Sequence, residues 1–408
     1  MNKKSVWLIN QYLCTPELNN DGHRHSFLAE EFIKKGYDVT LITSSFSHVP
    51  YRENNFKGLY KVIDKNIRTL LIKGNKYKGT QGFARVFSWL IFCFLLFFIP
   101  TKKIPKPDII IVSSNSLLPI LNVVFFFKRK FKGVKFILEI RDIWPLSLIE
   151  LGGFSSKNIL IRFLAWVEKL GYKKADHIVS LLMNADVHIK NVLGHVPFKY
   201  TWISNGFQIE DESTYKPISK ELAALIPKDG FIVGYAGSLG KANAMEYIIE
   251  GFNKIKNKNI HLLIVGSGDE MISLKKLSIS NNISFLGRLP KNEILSFLNK
   301  CDLLYFSSKD LKIYSYGISA NKTFDYMYAA KPILLSASTQ NNVIQLAKCG
   351  KVIKPNDSDL IVEEILNFKE MSLEDRKTIG LKGKDYLLKY FTYDKLSDKY
   401  IDIFKSLS

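Results

Sequence analysis

A chain of 408 residues exceeds the roughly 250–300 at which a single hydrophobic core stops growing, so two domains are expected. A hydrophobic content of 47% supplies apolar side chains for two cores and excludes a disordered chain. The net charge of +20 is concentrated in residues 1–206, where 30 Lys+Arg face 14 Asp+Glu, and such a half suits a nucleic acid or an anionic membrane surface.

No zinc-finger pattern, RNP-type aromatic motif or basic heptad repeat accompanies that charge, so no nucleic acid partner is expected. Cys14, Cys93, Cys301 and Cys349 are scattered without metal-type or disulfide-type spacing, which predicts no metal site and a reducing compartment. The apolar run in MNKKSVWLINQYL is broken by Asn10 and Gln11 and reads as a first strand rather than a signal peptide.

Val6–Ile9 is a buried strand in this reading. A polar loop follows through Asp21-Gly22-His23-Arg24-His25, then a helix over about 26–35 and a strand over Val39–Ile42. This is the opening β-α-β of a doubly wound sheet, whose strand-end loops bind ligands. His23, Arg24 and His25 therefore face either an acceptor phosphate or solvent. Phe87–Ile99, FSWLIFCFLLFFI, carries no charge; it is too short for the ~20 apolar residues that span a bilayer and suits a buried or interfacial helix. Cations flank it, which predicts membrane-surface contact through Arg85, Trp89, Phe92, Lys102 and Lys103, the alternative being a core helix. Val123–Phe127, running into Lys128-Arg129-Lys130, repeats the pairing. Strands at Ile109–Val112 and Phe136–Glu139 follow, the second entering Arg141-Asp142-Ile143-Trp144-Pro145. Asp142 is the candidate catalytic or acceptor contact and Arg141 a phosphate partner; an Arg–Asp pair that merely fixes the loop is the alternative. A helix over 157–172 and strands at His177–Leu182 and Thr201–Ile203 complete the first domain.

Ser204-Asn205-Gly206 and the charged run to Gly230 read as an interdomain connection. Phe231–Tyr235 opens a second sheet and leads into Gly237-Ser238-Leu239-Gly240-Lys241-Ala242-Asn243, a glycine-rich turn whose backbone N–H groups can approach phosphate. Ile260–Val265 ends in Gly266-Ser267-Gly268 and Ile283–Leu286 in Gly287-Arg288. Leu303–Phe306 leads into YGISANKTFDYMYAAKP, residues 316–332. There Ser319 reads as an N-cap, and Phe324, Met327 and Tyr328 recur at helical spacing. A helix beginning near Asn321 aims its unpaired N–H groups at the loop, Lys322 adds a full charge, and Asp325 suits a ribose diol. An amphipathic helix after a turn is the alternative.

GISANKTFDYM resembles the G-I-S-P-N-K-x-F-D-Y-M of a subgroup of the retaining GT-B glycosyltransferases of family 4. That subgroup assembles O-antigen and capsule sugars and is typified by N-acetylfucosamine-type transferases. EIRDIWPLSLIELGG and the ordered series G-S-L-G-K-A, V-G-S-G and F-L-G-R-L extend the resemblance over nearly the whole chain. It implies an α/β, GT-B architecture of two Rossmann-like doubly wound domains facing a central cleft. Residues 1–206 would bind an acceptor, 207–390 a nucleotide-sugar, and 391–408 would form a helix crossing back to the first domain. The implied reaction moves a sugar, an N-acetylated deoxyhexose among the candidates, from a UDP-linked donor to a lipid-linked saccharide. It would run with retention and without metal or cofactor, at the cytoplasmic face of the plasma membrane.

The donor residues implied are Gly237, Ser238, Lys241, Gly266, Gly268, Arg288, Ser319, Asn321, Lys322 and Asp325. Lys322 and Asp142 carry the catalytic roles, and Gly22, His23, Arg24, His25, Arg141 and Asp142 lie on the acceptor side. Gly317 replaces the first of the family's two motif glutamates, which leaves open a non-catalytic nucleotide-sugar-binding subunit; the shared fold leaves open a sugar-nucleotide epimerase. Ser238 and Asn243 stand where many members carry an arginine and a lysine for the diphosphate, so Lys241 and Lys322 are the substitute cations. Ala330 occupies the place where a glycine usually ends the helix.

Overall fold

The computed structural model describes residues 3–13, 18, 23–48, 51–77, 83–256, 259–339 and 341–407; Gly22, expected on the acceptor side, lies outside them. The chain divides into two units, residues 1–205 together with 393–408, and residues 206–392.

Unit 1 contains β1 (Ser5–Ile9), α1 (Arg24–Lys34), β2 (Asp38–Ser44), the hairpin of β3 (Phe46–His48) and β4 (Tyr51–Glu53), β5 (Tyr60–Ile63), β6 (Arg68–Ile72), α2 (Phe83–Leu96) and β7 (Ile109–Ser113). Then come α3 (Pro119–Asn122), a π-helical turn (Val123–Phe127), α4 (Lys128–Lys130), β8 (Lys135–Ile140), α5 (Leu146–Glu150), α6 (Ile159–Lys174), β9 (His177–Ser180), α7 (Ala185–Leu193) and β10 (Tyr200–Trp202). The sheet runs β10-β9-β8-β7-β1-β2-β6-β5, parallel except for β5 on β6. β1, β7 and β8 are nearly continuous apolar runs because helices cover both faces of a parallel sheet. Strand order reverses between β1 and β7, the position at which open parallel sheets form ligand crevices.

Unit 2 contains α8 (Lys220–Ala223), β11 (Phe231–Ala236), α9 (Glu246–Lys254), β12 (Ile260–Val265), α10 (Met271–Leu277), β13 (Ile283–Gly287), α11 (Lys291–Leu298) and β14 (Leu303–Ser307). After these come α12 (Lys312–Ser315), α13 (Asn321–Tyr328), β15 (Ile333–Ser336), α14 (Val343–Ala347), β16 (Gly350–Ile353), α15 (Ser358–Glu370) and α16 (Leu373–Tyr390). All six strands are parallel in the order β13-β12-β11-β14-β15-β16, so the reversal lies between β11 and β14. α13 starts at Asn321, but Ser319 is not its cap: Ala320 holds the N-cap position without a side-chain bond. Ala330, just past its end, has φ +52°, a left-handed conformation that disfavours any residue with a Cβ.

The last helix, α17 (Tyr393–Ser406), belongs to unit 1 and packs on α1, with Phe32 edge-on to Tyr400 at 5.6 Å and to Phe404 at 5.2 Å. Beneath it Glu139 is fully buried and accepts from Arg24 Nε at 3.0 Å, His25 Nε2 at 2.7 Å and the Tyr400 hydroxyl. Arg24 also donates to the carbonyls of Ile203 and Ser204. Asn10 Nδ2 donates to His25 Nδ1 at 3.0 Å, which places the imidazole proton on Nε2, toward Glu139. Burial raises a carboxylate's pKa, yet Arg24 and then His25 hold Glu139 well below the ordinary range. Burial lowers that of His25 despite Glu139.

Arg24 and His25 are therefore buried architectural groups and not acceptor contacts. His23 takes the N-cap, the helix begins at residue 24 rather than 26, and both side chains turn inward. A second correction concerns α2. Trp89 and Phe92 are 5% and 3% exposed and face the interior, so neither is a membrane contact, and the Arg85 guanidinium lies over Trp89 at 5.4 Å. Lys102 and Lys103 are exposed. No helix among the described residues is long and apolar enough to cross a membrane.

Arg24→Met leaves the Glu139 carboxylate buried without its main partner and should cost about 3–5 kcal/mol in urea unfolding, whereas Tyr400→Phe should cost only about 1–3 kcal/mol. Because the Glu139 pKa is depressed in the fold, its stabilisation is complete above the ordinary carboxylate pKa and is lost as pH falls through the folded value. Equal unfolding midpoints for wild type and Arg24→Met would contradict this account.

Candidate functional site

In unit 2 the turns after β11 and β12 interlock. Leu239 N donates to Ser267 O at 2.9 Å and Glu270 N to Leu239 O at 3.0 Å. A Cβ on Gly266, where φ is +145°, would collide with the Gly237 carbonyl, and one on Gly268 would collide with the Leu239 backbone. Only glycine lets the two turns approach this closely. Gly317, where the resemblance expects a glutamate, has φ +121°, and a glutamate there would be strained.

Lys322 stands in the first turn of α13, beyond β14, and its Nζ reaches across the strand-order reversal to the end of β11. It donates to Asn243 Oδ1 at 2.8 Å and to the Tyr235 hydroxyl at 2.9 Å, and lies 4.5 Å from the Tyr235 ring centre. These partners are held in turn: Tyr235 donates to Ser238 O at 2.6 Å, and Asn243 Nδ2 to the same carbonyl at 3.1 Å. A Cβ on Gly237 would come within 2.9 Å of the ammonium, so glycine keeps the space beside it open. Desolvation pushes the Lys322 pKa down to about 7. Among the described residues no carboxylate pairs with it. A desolvated ammonium that has only neutral partners lacks a counter-charge, which an anion can supply.

Lys241 is exposed on the short 3-10 turn Lys241–Asn243, and Ser238 is exposed beside it. Ser319 is half-buried in the loop before α13 and Asn321 is exposed at its start. One turn along α13, Asp325 is half-buried. Burial raises its carboxyl pKa to about 6, Lys291 pulls the other way and Glu210 adds to the rise. Glu210 and Lys291 form an ion pair at 3.3 Å. Tyr328 is stacked on Phe207 at 4.3 Å, with Lys384 over the Tyr328 ring at 4.8 Å. Arg288 is exposed just after β13.

Unit 1 gathers a second group at its own reversal. Asn115 Nδ2 donates to Asn10 Oδ1 at 3.2 Å, joining the loops after β7 and β1. Arg141 N donates to Ser114 Oγ at 2.9 Å, joining those after β8 and β7. Asp142 is exposed at the end of β8, next to Arg141. Trp144, in a cis Trp144–Pro145 pair, meets Trp89 edge-on at 5.1 Å. Among the described residues no three His, Cys, Asp or Glu side chains converge on a metal position.

Sequence reading did not single out Tyr235, Glu210, Lys291, Ser114 or Asn115, and it named Asn243 only as the residue in place of a diphosphate lysine. Tyr235 looks like a core strand residue. The signal for Asn243 was its place on a glycine-rich turn, but only folding shows that it orients Lys322.

Residues 220–386 match the family model described as Glycosyl transferases group 1. Over 304 residues, 72% of this chain and 73% of that protein, the chain is 24% identical to a probable glycosyltransferase, WbjE, of Pseudomonas aeruginosa. Among solved structures it resembles the sucrose-phosphate synthase of Thermosynechococcus elongatus, with TM-score 0.70 and 15% identity over 99% of both chains. It also resembles HepE of Anabaena, solved in complex with UDP, with TM-score 0.66 and 14% identity over 99% of this chain and 100% of that one. Gly266→Ala should cost at least about 3 kcal/mol, because the turns it holds cannot separate without breaking their shared hydrogen bonds; a thermal midpoint equal to that of wild type would refute the close approach.

Proposed function

Since the chain is a glycosyltransferase of the GT-B fold, with its group 1 match in residues 220–386, we propose that unit 2 binds a UDP-sugar and that the sugar passes to a lipid-linked saccharide. The observation that carries this reading is the desolvated Lys322 ammonium, held by Tyr235 and Asn243 with no acidic partner among the described residues. The resemblance expects a diphosphate lysine at position 243, and Lys322 is bonded to the asparagine found there, which supports Lys322 as the substitute cation.

In this reading Lys322, the backbone N–H groups of the Gly237 turn, Lys241 and Arg288 meet the charge of the leaving diphosphate without a metal. Asp325 holds the ribose diol. Asp142, with Arg141 beside it, contacts the acceptor end. Transfer is retaining, as in family 4: the acceptor oxygen bonds to the anomeric carbon on the face the phosphate leaves. The bond to phosphate breaks with its electron pair going to UDP, and the acceptor proton passes to that phosphate. The resemblance to the N-acetylfucosamine-type subgroup supports an N-acetylated deoxyhexose as the sugar and surface polysaccharide, O-antigen or capsule, as the product. It also supports a peripheral position at the cytoplasmic membrane face. The direct test is transfer of label from UDP-N-acetylhexosamines to a lipid-linked saccharide extract. Release of UDP without a labelled lipid product would count against it.

Lys322 must be protonated to hold a diphosphate, and desolvation brings its pKa down to about 7. UDP binding should therefore take up a proton, and affinity should fall between pH 7.5 and 9, approaching about tenfold per pH unit. Lys322→Met should weaken binding by about 1.5–3 kcal/mol at pH 7 and abolish that slope. Calorimetry in buffers of differing ionisation enthalpy reads both, and a pH-independent wild type would exclude Lys322 from the anion site.

Asp325→Asn exchanges a two-oxygen acceptor for one acceptor and one donor. Wild type should prefer UDP to 2′-deoxy-UDP, and the variant should lose most of that preference. A preference that survives the substitution would remove Asp325 from the ribose.

A further inference from the structure

The helices on one face of the unit 1 sheet are two-sided. β6–α2–β7, β7–α3–β8 and β8–α6–β9 are crossovers between parallel strands that advance in one direction along the sheet, so a common handedness puts their helices on one face. α3 packs against both α2 and α6, and the α6 backbone comes so close that a Cβ on Gly171 would lie 2.8 Å from Ile120. Inward the layer is ordinary core. Outward, α2 carries Phe87, Leu90 and Phe94 at helical spacing, continued by Phe98, with Phe94 and Phe98 62% and 61% exposed. Phe125 is exposed on the π-helical turn, and Trp166, 50% exposed on α6, stacks on Phe163. A ring contact between Phe97 and Phe126 joins α2 to the turn. So many large apolar side chains on one helical layer mark an interaction surface.

The charge beside it selects the partner. Residues 83–106, 109–138 and 151–167 contain no Asp or Glu. Lys102, Lys103, Lys106, Arg129, Lys130 and Lys132 are all exposed at the ends of α2 and of the α3–α4 stretch. Lys130 also lies over the Phe126 ring at 5.2 Å, so cation and aromatic surface are continuous. A second copy of the chain seated symmetrically on this face would set the basic cluster against itself. An acidic bilayer surface meets the cations with phosphate while its acyl boundary accepts the rings.

We infer that the outer face of α2, the π-helical turn and α6 seats this protein on an anionic lipid bilayer. This deepens the reading above, in which the acceptor is lipid-linked, by naming the surface that meets the lipid; it replaces Trp89 and Phe92 with Phe94, Phe98 and Trp166.

The test is co-sedimentation of the full chain with vesicles of phosphatidylcholine alone or mixed with phosphatidylglycerol, at low and high salt, beside UDP calorimetry on each protein. Wild type should bind the mixed vesicles at low salt and at least about tenfold less to neutral vesicles or at high salt. Phe94→Asp/Phe98→Asp and Lys102→Glu/Lys103→Glu should each reduce binding at least about tenfold while UDP binding persists. The second pair lies wholly on exposed positions and decides the matter if the first does not fold. Wild type that ignores both vesicles, binds them equally, or is matched by Lys102→Glu/Lys103→Glu overturns the inference, as does a dimer in light scattering that Phe94→Asp/Phe98→Asp dissociates. Failure on vesicles with UDP binding intact leaves the donor reading standing, and the reverse result separates them the other way.

Discussion

A half-buried lysine ammonium, crowded by protein and without a carboxylate, is the constraint around which the second unit is arranged. Such a group is costly, and the protein offsets the cost only in part, with the Tyr235 hydroxyl, the Asn243 amide and the face of an aromatic ring. None of these neutralises charge, and the pKa near 7 expresses that deficit. The backbone around it follows from keeping the adjacent space open. Gly237 withholds a side chain from the ammonium, and Gly266 lets the next turn close directly against Gly237.

The first unit treats its buried charges in the opposite way. Glu139 is surrounded by Arg24, His25 and Tyr400, and Arg24 is satisfied further by two main-chain carbonyls. Each polar group there has a partner, so the cluster behaves as a fastener between α1, β8 and α17 and has nothing left to offer a ligand. The contrast explains why two basic residues adjacent to strand-end loops have unlike surroundings. Arg24 is committed to the fold, while Lys322 is held ready.

Much of the strand framework was legible from local pattern. Apolar runs bounded by Gly, Asn or Ser marked most of the parallel strands to within one or two residues, because a strand covered on both faces must be apolar throughout. The start of α13 at Asn321 was legible too, though its cap was not, since Ser319 has a suitable side chain but Ala320 occupies the position. In FSWLIFCFLLFFI the composition identified an apolar helix. It could not say which rings face inward, because nearly every position is apolar and no polar stripe breaks the symmetry.

By itself the sequence determined the class of fold, the candidate anion-binding stretch and the concentration of positive charge in the first half, since these depend on residue type and local spacing. Tertiary structure decided which charges are used up. Arg24, His25 and Trp89 look available in the sequence and are consumed by partners far away along the chain, Glu139, Tyr400 and Trp144, which only the assembled sheet and terminal helix bring near. Lys322 gains its character in the same way, from Tyr235 and Asn243 across the strand-order reversal, because desolvation and pairing are properties of surroundings that no local stretch of chain contains.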